Sequence, residues 1–133
     1  MKKILFSILL ILNFAHADFR TVNETQLKQA IEKGVVVIDI RRPQEWQQFG
    51  IIPSSQKITF FDQFGKYDVK AWMSEFSKHV KTLDQPFILV CARANRTKAV
   101  GKMLSEQAGF ANVYDLEGGI INGWIKKGEK TTK

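Results

Sequence analysis

Thiols and imidazoles are scarce in this chain. Among 133 residues there is one cysteine, Cys91, and there are two histidines, His16 and His79. A single cysteine excludes an intrachain disulfide, and one Cys with so few His cannot supply a usual zinc ligand set. No apolar run is long enough to cross a bilayer. The stretch from Ile4 to Phe14 falls well short of the roughly 20 residues a spanning helix needs, and Ser7 and Asn13 dilute it. Acidic residues are outnumbered and the net charge is +7, but the lysines are scattered. The densest basic cluster, KKGEKTTK, has no aromatic side chain on which a base could stack. A soluble cationic surface accounts for this charge, and no nucleic-acid partner is expected. There is no internal repeat, low-complexity tract or linker, and the length suits one domain with one core.

The N-terminus has a distinct pattern. MKKILFSILLILNFAHA places Lys2 and Lys3 before the apolar run and small residues, Ala15 and Ala17, around His16. This is the three-part pattern of a secretory signal peptide with an A-x-A cleavage site. Residues 1–17 are expected to be removed, leaving a mature domain of residues 18–133 with no stable membrane anchor. No cysteine follows the run to carry a lipid. Removing two lysines from a charge of +7 leaves +5. Export to the periplasm of a bacterium makes the lone cysteine unusual, because secreted proteins commonly pair their thiols.

The mature chain alternates helical and strand patterns. After Asn23, an expected N-cap, ETQLKQAIEKG puts Leu27, Ala30 and Ile31 on one helical face and stops at Gly34. VVVID, Val35 to Asp39, reads as a strand buried on both faces. Pro43 opens a short helix, PQEWQQFG, with Trp46 and Phe49 on one side. Ile58 to Phe60 predicts a short strand. DVKAWMSEFSKHV carries Val69, Trp72, Met73, Phe76 and Val80 at helical spacing, a core-facing stripe. PFILVC, Pro86 to Cys91, is a second apolar strand. A helix is expected from Thr97, with Ala99, Val100, Met103 and Leu104 apolar and Gly109 as its stop. Val113 to Leu116 is a last strand, followed by an EGG turn and a helix bearing Ile120, Ile121, Trp124 and Ile125. The alternation predicts an α/β domain, a mostly parallel sheet with helices on both faces. Sites in such sheets form beyond the carboxyl ends of the strands, and Cys91 stands at one of those ends.

The stretch CARANRT, from Cys91 to Thr97, has the composition of an anion cradle. A thiol reacts as thiolate, so a reactive cysteine needs surroundings that favour negative charge. Residues 92 to 96 can curl so that backbone N–H groups face the sulfur, and the helix that follows adds the positive end of its dipole. Arg93 and Arg96 add charge that does not titrate near neutral pH. The same loop can activate a nucleophile and hold an anionic substrate. His79 lies near the end of its helix, distant in pattern from the loop, so a Cys–His pair is not expected. Asp39 and Arg41, at a strand end, read as a structural charge pair. Glu117, Gly118 and Gly119 read as a tight turn.

Three segments resemble a known family. IDIRRPQEWQQFGIIPSSQKI is similar to the first signature of rhodanese domains, LVCARANRTKAV to their active-site loop, and DLEGGIINGWIKKG to their closing segment. Together they span Ile38 to Gly128. The chain departs from the family at Ile51, where His is frequent, at Ser54 and Ser55, and at Ala94, where many members have Gly. The resemblance implies a single rhodanese-like domain and a thiosulfate sulfurtransferase. Its cysteine attacks the outer sulfur of thiosulfate, releases sulfite and carries the sulfur as a persulfide to cyanide or a thiol. It further implies Cys91 as the catalytic residue, and Ala92, Arg93, Ala94, Asn95 and Arg96 as the substrate cradle, with no metal or cofactor.

Two other functions compete with this reading. A phosphatase or arsenate reductase loop places Arg six positions after Cys, where this chain has Thr97, with Arg96 one place early. A non-catalytic binding or sulfur-relay module commonly lacks the nucleophile, whereas Cys91 is present. For such a module the aromatics from Phe60 to Phe64 are the expected docking patch.

Overall fold

The two apolar runs form neighbouring strands at the centre of a five-stranded parallel sheet. The computed structural model describes residues 18–133, and the predicted signal peptide, residues 1–17, lies outside them. The elements are β1 (Asp18–Val22), α1 (Glu24–Glu32), β2 (Val36–Asp39), α2 (Pro43–Phe49), β3 (Gln56–Lys57), α3 (Val69–Phe76), β4 (Phe87–Val90), α4 (Arg96–Lys102), β5 (Asn112–Leu116) and α5 (Gly119–Gly123). A π-helical turn, Met103–Gln107, extends α4, and a 3-10 turn, Ile125–Lys127, follows α5. The strand order is β1-β5-β4-β2-β3, with every pairing parallel.

Period-two alternation splits the central strands between two apolar layers. Ile38, Phe87 and Leu89 face one side, where Trp72 and Phe76 of α3 and Val100 of α4 cover them. Val37, Ile88 and Val90 face the other, under Leu27 of α1 and Ile120 and Trp124 from the C-terminal segment. Each side chain fully buried in these layers contributes about 1.5–3 kcal/mol of transfer free energy. The helices therefore cover both faces, as the alternation of patterns implied.

Helix starts follow the local chemistry. Asn23 Oδ1 accepts from Gln26 N–H, and Gln26 Oε1 accepts from Asn23 N–H, a reciprocal cap on α1. Asp68 Oδ1 accepts from Ala71 N–H and caps α3. Pro43 occupies the first turn of α2.

Several expectations need correction. The short edge strand is Gln56–Lys57, not Ile58 to Phe60. Ile58 and Phe60 still donate to the carbonyls of Asp39 and Ile40. The regular ladder ends because its partner bends there, with Asp39 Oδ1 accepting from Arg41 N–H. The aromatic cluster is mostly interior. Phe60 is buried and packs edge-on against Phe61 and Trp72, leaving Phe64 as the exposed ring, 73% accessible. Helix α3 stops at Phe76, so Val80 reaches the core from the turn beyond it, while Val69 is exposed. In α4 Ala99 faces solvent, and Val100 and Leu104 carry the packing.

Strand β1 was not foreseen. DFRTV lies at the sheet edge beside β5, and its side chains are half-buried or exposed, so it lacks the apolar signal of a central strand. Its one large apolar ring has a definite seat. Phe19 lies against Gly101, where an added Cβ would fall 2.4 Å from the ring.

Candidate active site

Strand β4 ends at Val90, and the next residue is Cys91, at the carboxyl edge of the sheet beside the end of β2. Its side chain is 1% exposed and unpaired. The chain then turns through Ala92, Arg93, Ala94 and Asn95 and enters α4 at Arg96. That turn places Ala94 at φ +68°, a left-handed conformation that costs an L-residue about 1–2 kcal/mol. The loop holds Ala94 there by burying it.

The support comes from behind, from the EGG turn. Ile120 N–H donates to the Cys91 carbonyl at 2.9 Å, and Ile121 N–H to the Ala92 carbonyl at 3.1 Å. Gly119, at φ +68°, lies so close that a Cβ there would fall 2.3 Å from Ala92 O and 2.6 Å from Arg93 N. Only glycine allows this approach. With two carbonyls held by α5, the loop's donors have no counterpart: among the described residues, no backbone N–H from Ala92 to Arg96 donates to another group. Consecutive unpartnered N–H groups beside a helix start are suited to an anion.

The two loop arginines differ. Arg93 is exposed and enters none of the ion pairs among the described residues. Arg96 is gripped by Glu45 of α2, with Nη1 to Oε2 at 2.8 Å and Nη2 to Oε1 at 2.7 Å. Glu45 Oε2 also accepts from Arg42 N–H. Burial pushes the Glu45 carboxyl up, but the bonds from Arg96 and Arg42 outweigh it and hold the group below the usual carboxylate range. The same bond from Glu45, aided by charge on Cys91 and Asp39, raises Arg96 further above its ordinary value. Asn95, exposed before the first turn of α4, makes no side-chain cap bond.

Asp39 and Arg41 are fully buried. Arg41 Nε donates to Asp39 Oδ1 at 3.0 Å, and Nη2 to Asp39 Oδ2 and to Gly50 O, each at 2.8 Å. Thr59 Oγ1 donates to Arg41 O. The pair fastens the end of β2 to the end of α2, a structural task.

Under the loop lies a buried polar set. Thr97 Oγ1 is 3.6 Å from Cys91 Sγ and donates to Asp115 Oδ2 at 2.8 Å. Asp115 also accepts from Thr21 Oγ1 at 2.7 Å and from Lys98 Nζ at 2.6 Å. Neither Thr97 as a neighbour of the sulfur nor Asp115 was anticipated, and Glu45 had been only part of a motif. His79 belongs to the segment that leads into the opposite end of β4. Among the described residues there is no cluster able to hold a metal ion, and no helix is long and apolar enough to cross a membrane. A cavity of about 620 Å³ between β3 and α3, lined by Trp46, Lys57, Phe60 and Trp72 among others, includes no residue of the Cys91 loop.

The family model described as "Rhodanese-like domain" matches residues 23–127. Thiosulfate sulfurtransferase GlpE of Ectopseudomonas mendocina is 31% identical over 104 residues, covering 78% of this chain and 84% of that protein. Rhodanese domain-containing protein CG4456 of Drosophila melanogaster is 32% identical over 95 residues, 70% of this chain and 84% of its own. Among solved structures, a rhodanese-related protein from Thermoplasma volcanium superposes with a TM-score of 0.62 at 30% identity, over 84% of this chain and 95% of that one. The polysulfide-sulfur transferase homodimer from Wolinella succinogenes shares the fold, with a TM-score of 0.64 at 20% identity over 92% of this chain and 85% of that one.

Proposed function

The chain belongs to the rhodanese-like family, and from that premise we propose that it is an exported thiosulfate sulfurtransferase with Cys91 as its nucleophile. One observation carries the reading: a buried, unpaired sulfur opens a loop whose backbone N–H groups from Ala92 to Arg96 have no partner among the described residues. Such donors stabilise a thiolate, the incoming dianion, and the charge that develops as sulfur is transferred.

The Cys91 thiolate attacks the outer sulfur of thiosulfate. The S–S bond of the donor breaks, sulfite leaves with the electron pair, and a persulfide remains on Cys91. Cyanide or a thiolate then attacks the outer sulfur and restores the Cys91 thiolate. Arg93, exposed and without an ion pair among the described residues, attracts the anion, while Arg96, occupied by Glu45, fixes the far end of the loop. Ala92, Ala94 and Asn95 serve through their main-chain donors.

Thiosulfate added to the purified protein is expected to add the mass of one sulfur atom at Cys91, and cyanide to convert it to thiocyanate. Thiocyanate formation that survives in Cys91→Ser would defeat the mechanism. Export rests on the N-terminal pattern. Protein recovered from the periplasmic fraction of an expressing bacterium should begin at Asp18, and an intact Met1 in cytoplasmic protein alone would refute it.

A further inference from the structure

The polar set beneath Cys91 has a feature that neither anion binding nor sulfur transfer explains. Asp115 is 0% exposed, yet three donors converge on its carboxylate: Thr21, Thr97 and Lys98. A buried carboxylate needs such partners to offset lost hydration. One of them, Thr97, is also buried and stands within hydrogen-bond reach of Cys91 Sγ. A hydroxyl has a single proton. While that proton points to Asp115, Thr97 Oγ1 can only accept, and what it accepts is the Cys91 S–H.

We infer that Thr97 is a two-position hydroxyl switch for Cys91 and that Asp115 is its positioning residue, holding the switch in the thiol setting. When Cys91 ionises, the S–H bond breaks, the proton passes to water at the loop mouth, and the electron pair stays on sulfur. The Thr97 hydroxyl then rotates about its C–O bond from Asp115 Oδ2 to Sγ, and no heavy atom needs to move. Asp115 tolerates the loss because Thr21 and Lys98 still donate to it. Lys98, with a side chain 48% exposed, keeps the carboxylate's second partner at the protein surface. Arg96 is a further charge near Cys91, and its guanidinium is bonded to Glu45.

The inference deepens the proposed function, because it concerns the same reactive sulfur. Its test needs no sulfur donor: alkylation of Cys91 by iodoacetamide, in folded protein at one near-neutral pH. A hydrogen bond to a charged group is worth about 1.5–3 kcal/mol, so Thr97→Val should slow alkylation about tenfold or more, and Thr97→Ser should restore it. Asp115→Asn should accelerate alkylation several-fold, since the hydroxyl is no longer held away from the sulfur and a negative charge is gone. Thr21→Val, at an exposed position on β1, changes no charge and removes one of the donors that let Asp115 release Thr97. It should slow alkylation about twofold, and it serves as the second variant if Asp115→Asn unfolds. A purely structural network predicts a different order. Slowing in both Thr97→Val and Asp115→Asn, or a Thr97→Ser as slow as Thr97→Val, would overturn the switch. Wild-type protein that gains no sulfur from thiosulfate would overturn the proposed activity instead, and the order of alkylation rates alone would judge the switch.

Discussion

Two neighbouring strand ends carry arginines, and they have been built for opposite purposes. At the end of β2, Arg41 is fully buried, its guanidinium tied to Asp39 and Gly50, its N–H to Asp39 and its carbonyl to Thr59. At the end of β4, backbone donors from Ala92 to Arg96 have no partner among the described residues, and Arg93 is exposed. The first loop is closed by its own contacts. The second is held rigid from outside, by Gly119, Ile120, Ile121 and Glu45, so that its inner surface stays available. Positive charge beside a strand end therefore marks a site only where the backbone has been left open.

The sharpest way to break this contrast is at the closed end. Arg41→Ala leaves Asp39 as a buried charge without its partner and should cost about 3–5 kcal/mol in denaturant unfolding. A loss below about 1 kcal/mol would show that the β2 end is not the structural one. Gly119→Ala attacks the open end through its support. Strain at positive φ and the clash with Ala92 together should cost about 2–4 kcal/mol. Thiocyanate formation should fall even at temperatures where the variant stays folded, because the loop must move to admit the methyl group.

A smaller effect is expected from Glu45→Gln, about 1 kcal/mol for a partly exposed pair. Glu45 sits below the ordinary glutamate range, so its contribution is fully present above that ordinary value. It is lost as pH falls through the lowered one. The stability gap between wild type and variant should therefore close on acidification, and a gap that widens would reverse this account. The smallest effect should come from Ala94→Gly. Relief of the left-handed strain is partly offset by the greater freedom of glycine in the unfolded chain, leaving a gain of no more than about 1 kcal/mol. A thermal melt that drops would show that the Ala94 methyl, buried in the loop, matters more than its backbone angle.

What could be read from the sequence divides along similar lines. Strands β2 and β4, the cap of α1 and the thiol at a strand end were legible because each is written in adjacent residues. Strand β1 was not, since an edge strand of five half-exposed residues has little apolar contrast. The arrangement beneath and beside Cys91 was illegible for a different reason. Glu45 meets Arg96 across 51 positions, and Thr21 meets Asp115 across 94. No local pattern encodes a buried Asp whose donors come from two other segments. Ile51, an oddity in a motif where His is frequent, is buried, which suits an apolar side chain, and its backbone pairs antiparallel with Thr132 of the C-terminal tail.

The depth of Cys91 sets a length scale for whatever approaches it. A disulfide to another protein's cysteine needs a Cα separation of roughly 7 Å or less, and a Cys91 that is 1% exposed resists so close an approach. A slim anion faces no such limit. In the proposed reaction the transferred sulfur sits one S–S bond, about 2 Å, beyond the atom that carries it. On the proposed function, depth then works as a filter: the empty thiol is shielded from crosslinking, and the bound sulfur extends toward its acceptor.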